Sequence, residues 1–219
     1  MIDRRRLLAL AAALAATACS GPVPPCVSRI VVDVGHTPDA PGATSASGID
    51  ELTFNRRFAR RLGRALDMLL PSGGSSTVIE TADPDPRLDR RVAALAAAEP
   101  SLILSVHHDS VQERYLIRRT VDGRELTQTD AAAGFSLFVP ADTAVAADSL
   151  RAAESIADAL LAVGERPSRH HAEPVDGENR RLLDPARGIY AGDFLKILRT
   201  ATAPAVLLEV GVIKNPAEE

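Results

Sequence analysis

A single α/β domain, built on a mostly parallel twisted sheet with helices on both faces, is predicted for this chain of 219 residues from two features. Short apolar stretches of strand length alternate with longer stretches of helical period through most of the chain. Several of the short stretches are continuously apolar, as strands covered on both faces are. With 46% hydrophobic but only 3% aromatic residues, the core must be made of Ala, Leu and Val, and the length suits one such core.

Taken in order, Ser28 to Val34 is a β-branched run and the first strand. In "ELTFNRRFARRLGRALDMLL" Phe58, Leu62, Leu66 and Leu69 share one helical face and the arginines the other. "STVIET" is a second strand, "PRLDRRVAALAAAEP" a helix bounded by prolines, and "SLILSV" (Ser101 to Val106) a third strand. From Val111 to Ala133 the pattern weakens to a hairpin-like excursion around Asp122-Gly123. "GFSLFVP" resumes the sheet, and "AADSLRAAESIADALLAVG" is a helix stopped by Gly164. The stretch from Glu165 to Gly188 is irregular, "DFLKILRTA" a short helix and "PAVLLEV" a last buried strand.

The front of the chain differs. Arg4, Arg5 and Arg6 precede an apolar run from Leu7 to Ala18 that is too short for a stable membrane span, so residues 1–18 form a signal peptide and the chain is exported. Arg4-Arg5 also fits a twin-arginine signal. Cys19 closes "AATAC", the arrangement of a lipoprotein cleavage site, although Ala16 stands where such sites carry Leu. Lipidation of Cys19 would anchor the chain to a membrane, and Ser20 favours the outer membrane, facing the periplasm. A plain signal anchor or a cleaved leader without lipid is the alternative. Residues 19–28 are then a tether, and 29–219 the folded domain.

Cys26 is the only other cysteine, so no disulfide framework supports the fold. Lys plus Arg number 25 against 29 for Asp plus Glu, which gives −4 before the arginine-rich leader is removed. Nothing here is shaped for nucleic acid.

Chemistry-bearing residues collect where strands end. His36 follows the first strand, His107 the third and Glu209 closes the last. Ligands of open α/β sheets sit outside the carboxyl ends of such strands. Glu51, in the first turn of the helix that follows the Gly35–Asp50 loop, faces the same crevice. Two imidazoles and a carboxylate suit a divalent zinc ion with one position open to water. Each residue alone has an ordinary explanation; Glu51, for instance, is also what a helix N-terminus favours. Glu209 after "PAVLL" is harder to explain away, because a carboxylate ending so apolar a run needs a cationic partner.

"VVDVGH", "D-x-PGA", Gly48, Glu51, Asn55, "SVHHD" and "RGIY...FLKILRTATAPAVLLEVGVIKNPAEE" together resemble the zinc-dependent N-acetylmuramoyl-L-alanine amidases of the type 3 family, from about Arg29 to Glu219. The resemblance implies one zinc ion held by His36, Glu51 and His107, and Glu209 as catalytic carboxylate. It implies cleavage of the amide between N-acetylmuramic acid and the first L-alanine of the peptidoglycan stem peptide, by activated water and without a covalent intermediate. In the family's S-x-H-x-[DN] pattern the ligand is the third residue from Ser105, which selects His107 and leaves His108 as a supporting or substrate-facing residue. Asp33 and Asp109 are placed to accept a ligand histidine's second N–H or to order its loop. Asn55, Arg187 and His171 are further candidates near the substrate, although paired histidines such as His170 and His171 in a polar loop are ordinarily exposed or draw adventitious metal.

The sequence departs from the family in three places. Thr37-Pro38 replace two glycines after the first ligand, which stiffens that loop. Only "ADTAV" lies between Pro140 and the next helix, leaving no room for an autoinhibitory plug. "NPAEE" reads as a helix start with no helix behind it, which would leave a sheet face uncovered. A zinc peptidase or deacylase acting on another amide, and a non-catalytic wall-binding lipoprotein, are the competing functions; no activator is identifiable from the sequence.

Overall fold

The computed structural model describes residues 4–17, 29–82, 84–85 and 87–219. Cys19, Ser20, Cys26 and the proposed tether lie outside the described residues. A helix α1 (Arg4–Thr17) precedes β1 (Arg29–Val34), α2 (Glu51–Leu69), β2 (Ser75–Ile79), α3 (Asp89–Ala97) and β3 (Leu102–Asp109). There follow β4 (Ile117–Val121), β5 (Arg124–Gln128), β6 (Ser136–Val139), α4 (Ala146–Ala162), β7 (Leu182–Asp184), β8 (Ile189–Ala191), α5 (Lys196–Arg199) and β9 (Ala205–Val212).

Seven strands form one sheet in the order β2-β1-β3-β9-β6-β8-β7. The β1–β2, β1–β3, β3–β9 and β6–β8 pairs are parallel; β6–β9 and β7–β8 are antiparallel. Strand alternation sorts the side chains onto two faces. Val32, Val34, Leu104, Val106, Leu208 and Leu137 pack with α2 and α4, while Val31, Ile103, Leu207 and Phe138 pack with Leu95 of α3 and Ile197 and Leu198 of α5. The expected mostly parallel sheet, with helices on both sides, is what forms.

The expected signal peptide forms a helix in the uncleaved chain, and two expectations about the end of the chain need correction. Residues 7–14 lie in a folded helix: α1 packs against α2 and α4, and Leu7, Leu10, Ala11 and Leu14 are buried there. The apolar face expected to be bare is thereby covered. No helix of the described residues is long and apolar enough to cross a membrane. The "NPAEE" end makes a tight turn instead of starting a helix. Asn215 Oδ1 accepts the Ala217 N–H at 3.0 Å, and the Glu218 carboxylate accepts from Gly134 and Val212 N–H at 2.9 and 2.8 Å.

The irregular stretch after Gly164 contains β7, and its polar sequence hid the strand because β7 is a short, half-buried edge. The excursion is a real hairpin, β4–β5, turning at Asp122 and Gly123 with φ of 48° and 75°, the paired positive values a two-residue turn demands. It braces the loop ahead of α2: Leu126 faces Gly48, and Gln128 Nε2 donates to Ala46 O at 3.0 Å. No helix intervenes between Pro140 and α4.

Candidate metal centre

Two adjacent strands and one helix start bring the centre together. Gly35 N–H donates to Val106 O at 3.0 Å, fixing the end of β1 against β3. His36 follows with φ of 69°, a left-handed backbone rare for a residue with a side chain. Its Nδ1 lies 3.1 Å from Ala40 O, which makes Nδ1 the protonated nitrogen and leaves the Nε2 lone pair free. Nε2 points at Glu51 Oε2, 2.8 Å away.

The loop returns to place Glu51: its N–H donates to Ala43 O at 2.8 Å and Leu52 N–H to Pro41 O at 3.0 Å. His107 Nδ1 lies 3.2 Å from Glu51 Oε1, which also accepts from His108 N–H and Asn55 Nδ2, each at 3.2 Å. Burial pushes the Glu51 carboxyl up, but the His107 and His36 rings together hold it well below the usual carboxylate range.

Two glycines make room for these donors. A Cβ on Gly35 would lie 2.4 Å from His107 Nε2, and one on Gly42 would lie 2.3 Å from Glu51 Oε2 and 2.7 Å from His36 Nε2.

Ser105, His107 and Asp109 share the sheet face that Asp33 and Glu209 also occupy, while His108 points to the other face. Glu209 pairs with His107 in the β3–β9 register. Its Oε2 is buried with no hydrogen-bond partner among the described residues. Burial, then the Asp109 and Glu51 carboxylates, raise its pKa well above the ordinary value. His36, His107 and Glu209 line one cleft of ≈ 490 Å³, whose walls include Arg91, Leu88, Leu195 and Leu207.

The remaining candidates take other places. His108 is buried beside Phe54 and Phe58, its Nδ1 2.7 Å from Asn55 Oδ1, so it supports Asn55 and Glu51 from within the core and does not face substrate. Burial lowers its pKa to about 4, with a raising influence from Glu51 and a lowering one from His107. Asp33 accepts from Ser105 Oγ at 2.6 Å and lies 3.6 Å from Arg91 Nε; its hydrogen bond goes to that serine and not to a ligand ring. Burial raises its pKa against the opposing pull of Arg91.

Asp109 meets His170 and His171 instead of His36 or His107. Of those two histidines, expected exposed, His170 is buried and His171 partly buried: Ser168 and Glu178 hold their Nδ1 atoms, and Phe138 and Tyr190 pack on the His171 ring. Arg187 is not brought to the centre: its guanidinium is held by Asp158 and Asp184.

Arg91 and Asp85 carry no signal in the sequence. Asp85 accepts the N–H groups of Asp89 and Arg91 at 3.0 Å and so starts α3. Arg91, 2% exposed, then donates to the His36 carbonyl and reaches toward Asp33. An arginine that the sequence places only within a proline-bounded helix thus tethers the first candidate ligand.

His36, Glu51 and His107 offer two nitrogens and a carboxylate oxygen within 4.8 Å of one another, a donor set and spacing that fit zinc with one position free. The buried, unpartnered Glu209 Oε2 beside them fits a centre meant to hold a cation.

Comparison with known proteins agrees with this geometry. No curated protein matches the sequence. Among solved structures, the chain resembles the N-acetylmuramyl-L-alanine amidase Ami1 of Mycobacterium smegmatis at a TM-score of 0.64 and 21% identity, over 87% of this chain and 84% of that one. It resembles the catalytic domain of CwlV from Bacillus (Paenibacillus) polymyxa var. colistinus at 0.60 and 21%, over 88% and 84%. An N-acetylmuramoyl-L-alanine amidase from Clostridium difficile 630 gives 0.62 and 18%, over 88% and 83%. At such identities the likeness establishes the fold. The sequence profile of the N-acetylmuramoyl-L-alanine amidases matches residues 30–219, nearly the whole described domain, and on that match the chain belongs to the N-acetylmuramoyl-L-alanine amidase family.

Proposed function

We propose that this amidase hydrolyses the bond between N-acetylmuramic acid and L-alanine in peptidoglycan with one zinc ion on His36, Glu51 and His107, and Glu209 as its catalytic carboxylate. The observation that carries the assignment is the convergence of His36 Nε2, Glu51 and His107 Nδ1 beside Glu209, whose buried Oε2 has no hydrogen-bond partner among the described residues.

Zinc on those donors would supply Lewis acidity to water and to the scissile carbonyl. The protein's residues do the rest. Ala40 O fixes the His36 tautomer, and Asn55 with the His108 N–H holds Glu51 Oε1 in place. Glu209 takes the proton of the attacking water on Oε2 and returns it to the departing L-alanine nitrogen. A carboxyl raised by burial is suited to both halves, being a stronger base when ionised and still able to keep the proton until the amine leaves. Leu195 and Leu207 give the cleft an apolar wall.

Export of the chain, removal of residues 1–18 and lipidation of Cys19 would bring the enzyme to its polymer at the outer membrane. The basic run Arg4–Arg6, the apolar run behind it and the position of Cys19 support that placement.

The test is product analysis. Purified zinc-loaded protein incubated with sacculi should release intact stem peptides with a free L-alanine amino terminus. Peptides shortened internally would instead show a zinc peptidase, and binding without any release would show a wall-binding protein.

A further inference from the structure

A second set of donors converges outside the centre just described. Asp109 Oδ2 lies 3.0 Å from His170 Nε2 and 3.0 Å from His171 Nε2. At that distance an N–H aimed at the carboxylate would be a good hydrogen bond, yet none of the three atoms makes one with any described group. The side chains of Asp109 and His170 are 7% and 6% exposed, so water does not satisfy them freely.

The rings are held from behind. His170 Nδ1 lies 2.8 Å from Ser168 Oγ, and the Ser168 carbonyl accepts from Tyr190 OH at 2.9 Å. His171 Nδ1 lies 3.0 Å from Glu178 Oε2. A histidine whose Nδ1–H goes to a carboxylate or hydroxyl carries its lone pair on Nε2. With Nδ1 protonated on both rings, two such lone pairs and a carboxylate oxygen face each other across a largely buried space. Three acceptors repel there unless a cation sits between them.

We infer that Asp109, His170 and His171 form a second metal site, which takes a divalent transition cation of the zinc class. Two imidazole nitrogens and one carboxylate oxygen are borderline donors of the kind that cation selects. The three ligand atoms lie within 4.8 Å of one another, the same closeness as in the His36, Glu51 and His107 set. Glu178 and Ser168 supply the outer hydrogen bonds that fix ligand orientation, as Ala40 O does for His36. The second site shares β3 with the first, since His107 and Asp109 are two residues apart on one strand face. The site does not depend on the amidase chemistry proposed above.

Metal counting tests it. Metal-stripped wild-type protein is titrated with Co(II), followed by visible absorbance, and its zinc content is measured after reloading and desalting. Two equivalents are expected for wild type, one for His170→Gln and one for His36→Gln. One equivalent in wild type that is lost in His36→Gln and kept in His170→Gln overturns the second site and leaves the first standing. One equivalent with the opposite pattern sinks the first and leaves the second. Should one variant fail to fold, the other still assigns a single equivalent: kept in His36→Gln or lost in His170→Gln it belongs to the second site, and the reverse overturns that site. Nitrogen chemical shifts of His171 in the zinc-saturated wild type give an independent reading: protons on both ring nitrogens would mean an imidazolium between Asp109 and Glu178, and no metal.

Discussion

Glu209 stands beside His107 in the parallel register of β3 and β9, so one strand pair carries both a metal ligand and the carboxylate assigned to proton transfer. Replacing Glu209 with glutamine keeps its volume and leaves the His36, Glu51 and His107 donors in place. Glu209→Gln should retain metal at the first centre and lose about 10²–10⁴-fold in stem-peptide release, the range a positioned acid–base group contributes. Peptide release and metal content measured on the same preparation check both halves.

Gly35 is close enough to His107 that an added methyl would lie 2.4 Å from Nε2, with Cε1 and Cδ2 at 2.5 and 2.6 Å. The ring must shift to admit it. Gly35→Ala should therefore weaken zinc at least about tenfold, comparable to losing an outer partner of a ligand. Gly73 is the control: its φ is +92° but nothing lies within 4 Å. Gly73→Ala should cost about 1–2 kcal/mol of stability from backbone strain and leave zinc affinity unchanged. Competition titrations and urea melts separate the two effects.

His108 is buried neutral, with its pKa lowered from 6.5 to about 4 by desolvation. As pH falls, the unfolded chain takes up this proton before the folded one does. Its contribution to stability is therefore intact above about pH 6.5, is lost progressively down to about pH 4 and is level below. The full span is at most about 3 kcal/mol. Urea melts of metal-stripped protein across that range should show a steeper acid loss for wild type than for His108→Gln; equal slopes would contradict the burial argument.

Helix α1 is packed into the domain of the uncleaved chain, whereas the mature chain proposed above lacks it. Leu10 and Leu14 are wholly buried against the rest of the domain, and each such side chain contributes about 1.5–3 kcal/mol. A chain of residues 29–219 should melt at lower temperature than the full chain and bind a hydrophobic dye along α2 and α4. Identical melting of the two chains would show that α1 adds nothing to the folded domain.

Much of this architecture was legible because strand period and strand ends report directly on the sheet. His36, His107 and Glu209 follow apolar runs, and Glu51 opens a strongly amphipathic helix, so their convergence follows from topology. Strand parity explains the split of the two histidines in "SVHHD", since His107 shares a face with Ser105 and Asp109 and His108 does not. What escaped was long-range and side-chain specific. Arg91 looks like any other arginine of a basic helix until α3 is docked, and only the folded chain shows it reaching the His36 carbonyl. His170 and His171 sit in a polar segment that meets Asp109, 61 and 62 positions earlier in the chain. Local composition cannot report such a partner. β7 and β8 are three residues each, too short for a period to emerge.

The most direct test of the central claim is zinc-dependent recovery of stem-peptide release by metal-stripped protein. Wild type should release nothing before zinc is added and regain full activity afterwards, while Glu51→Gln should stay inactive at the zinc concentration that saturates wild type. Release by the stripped wild type, or full recovery by Glu51→Gln, would contradict a catalytic cation held by His36, Glu51 and His107.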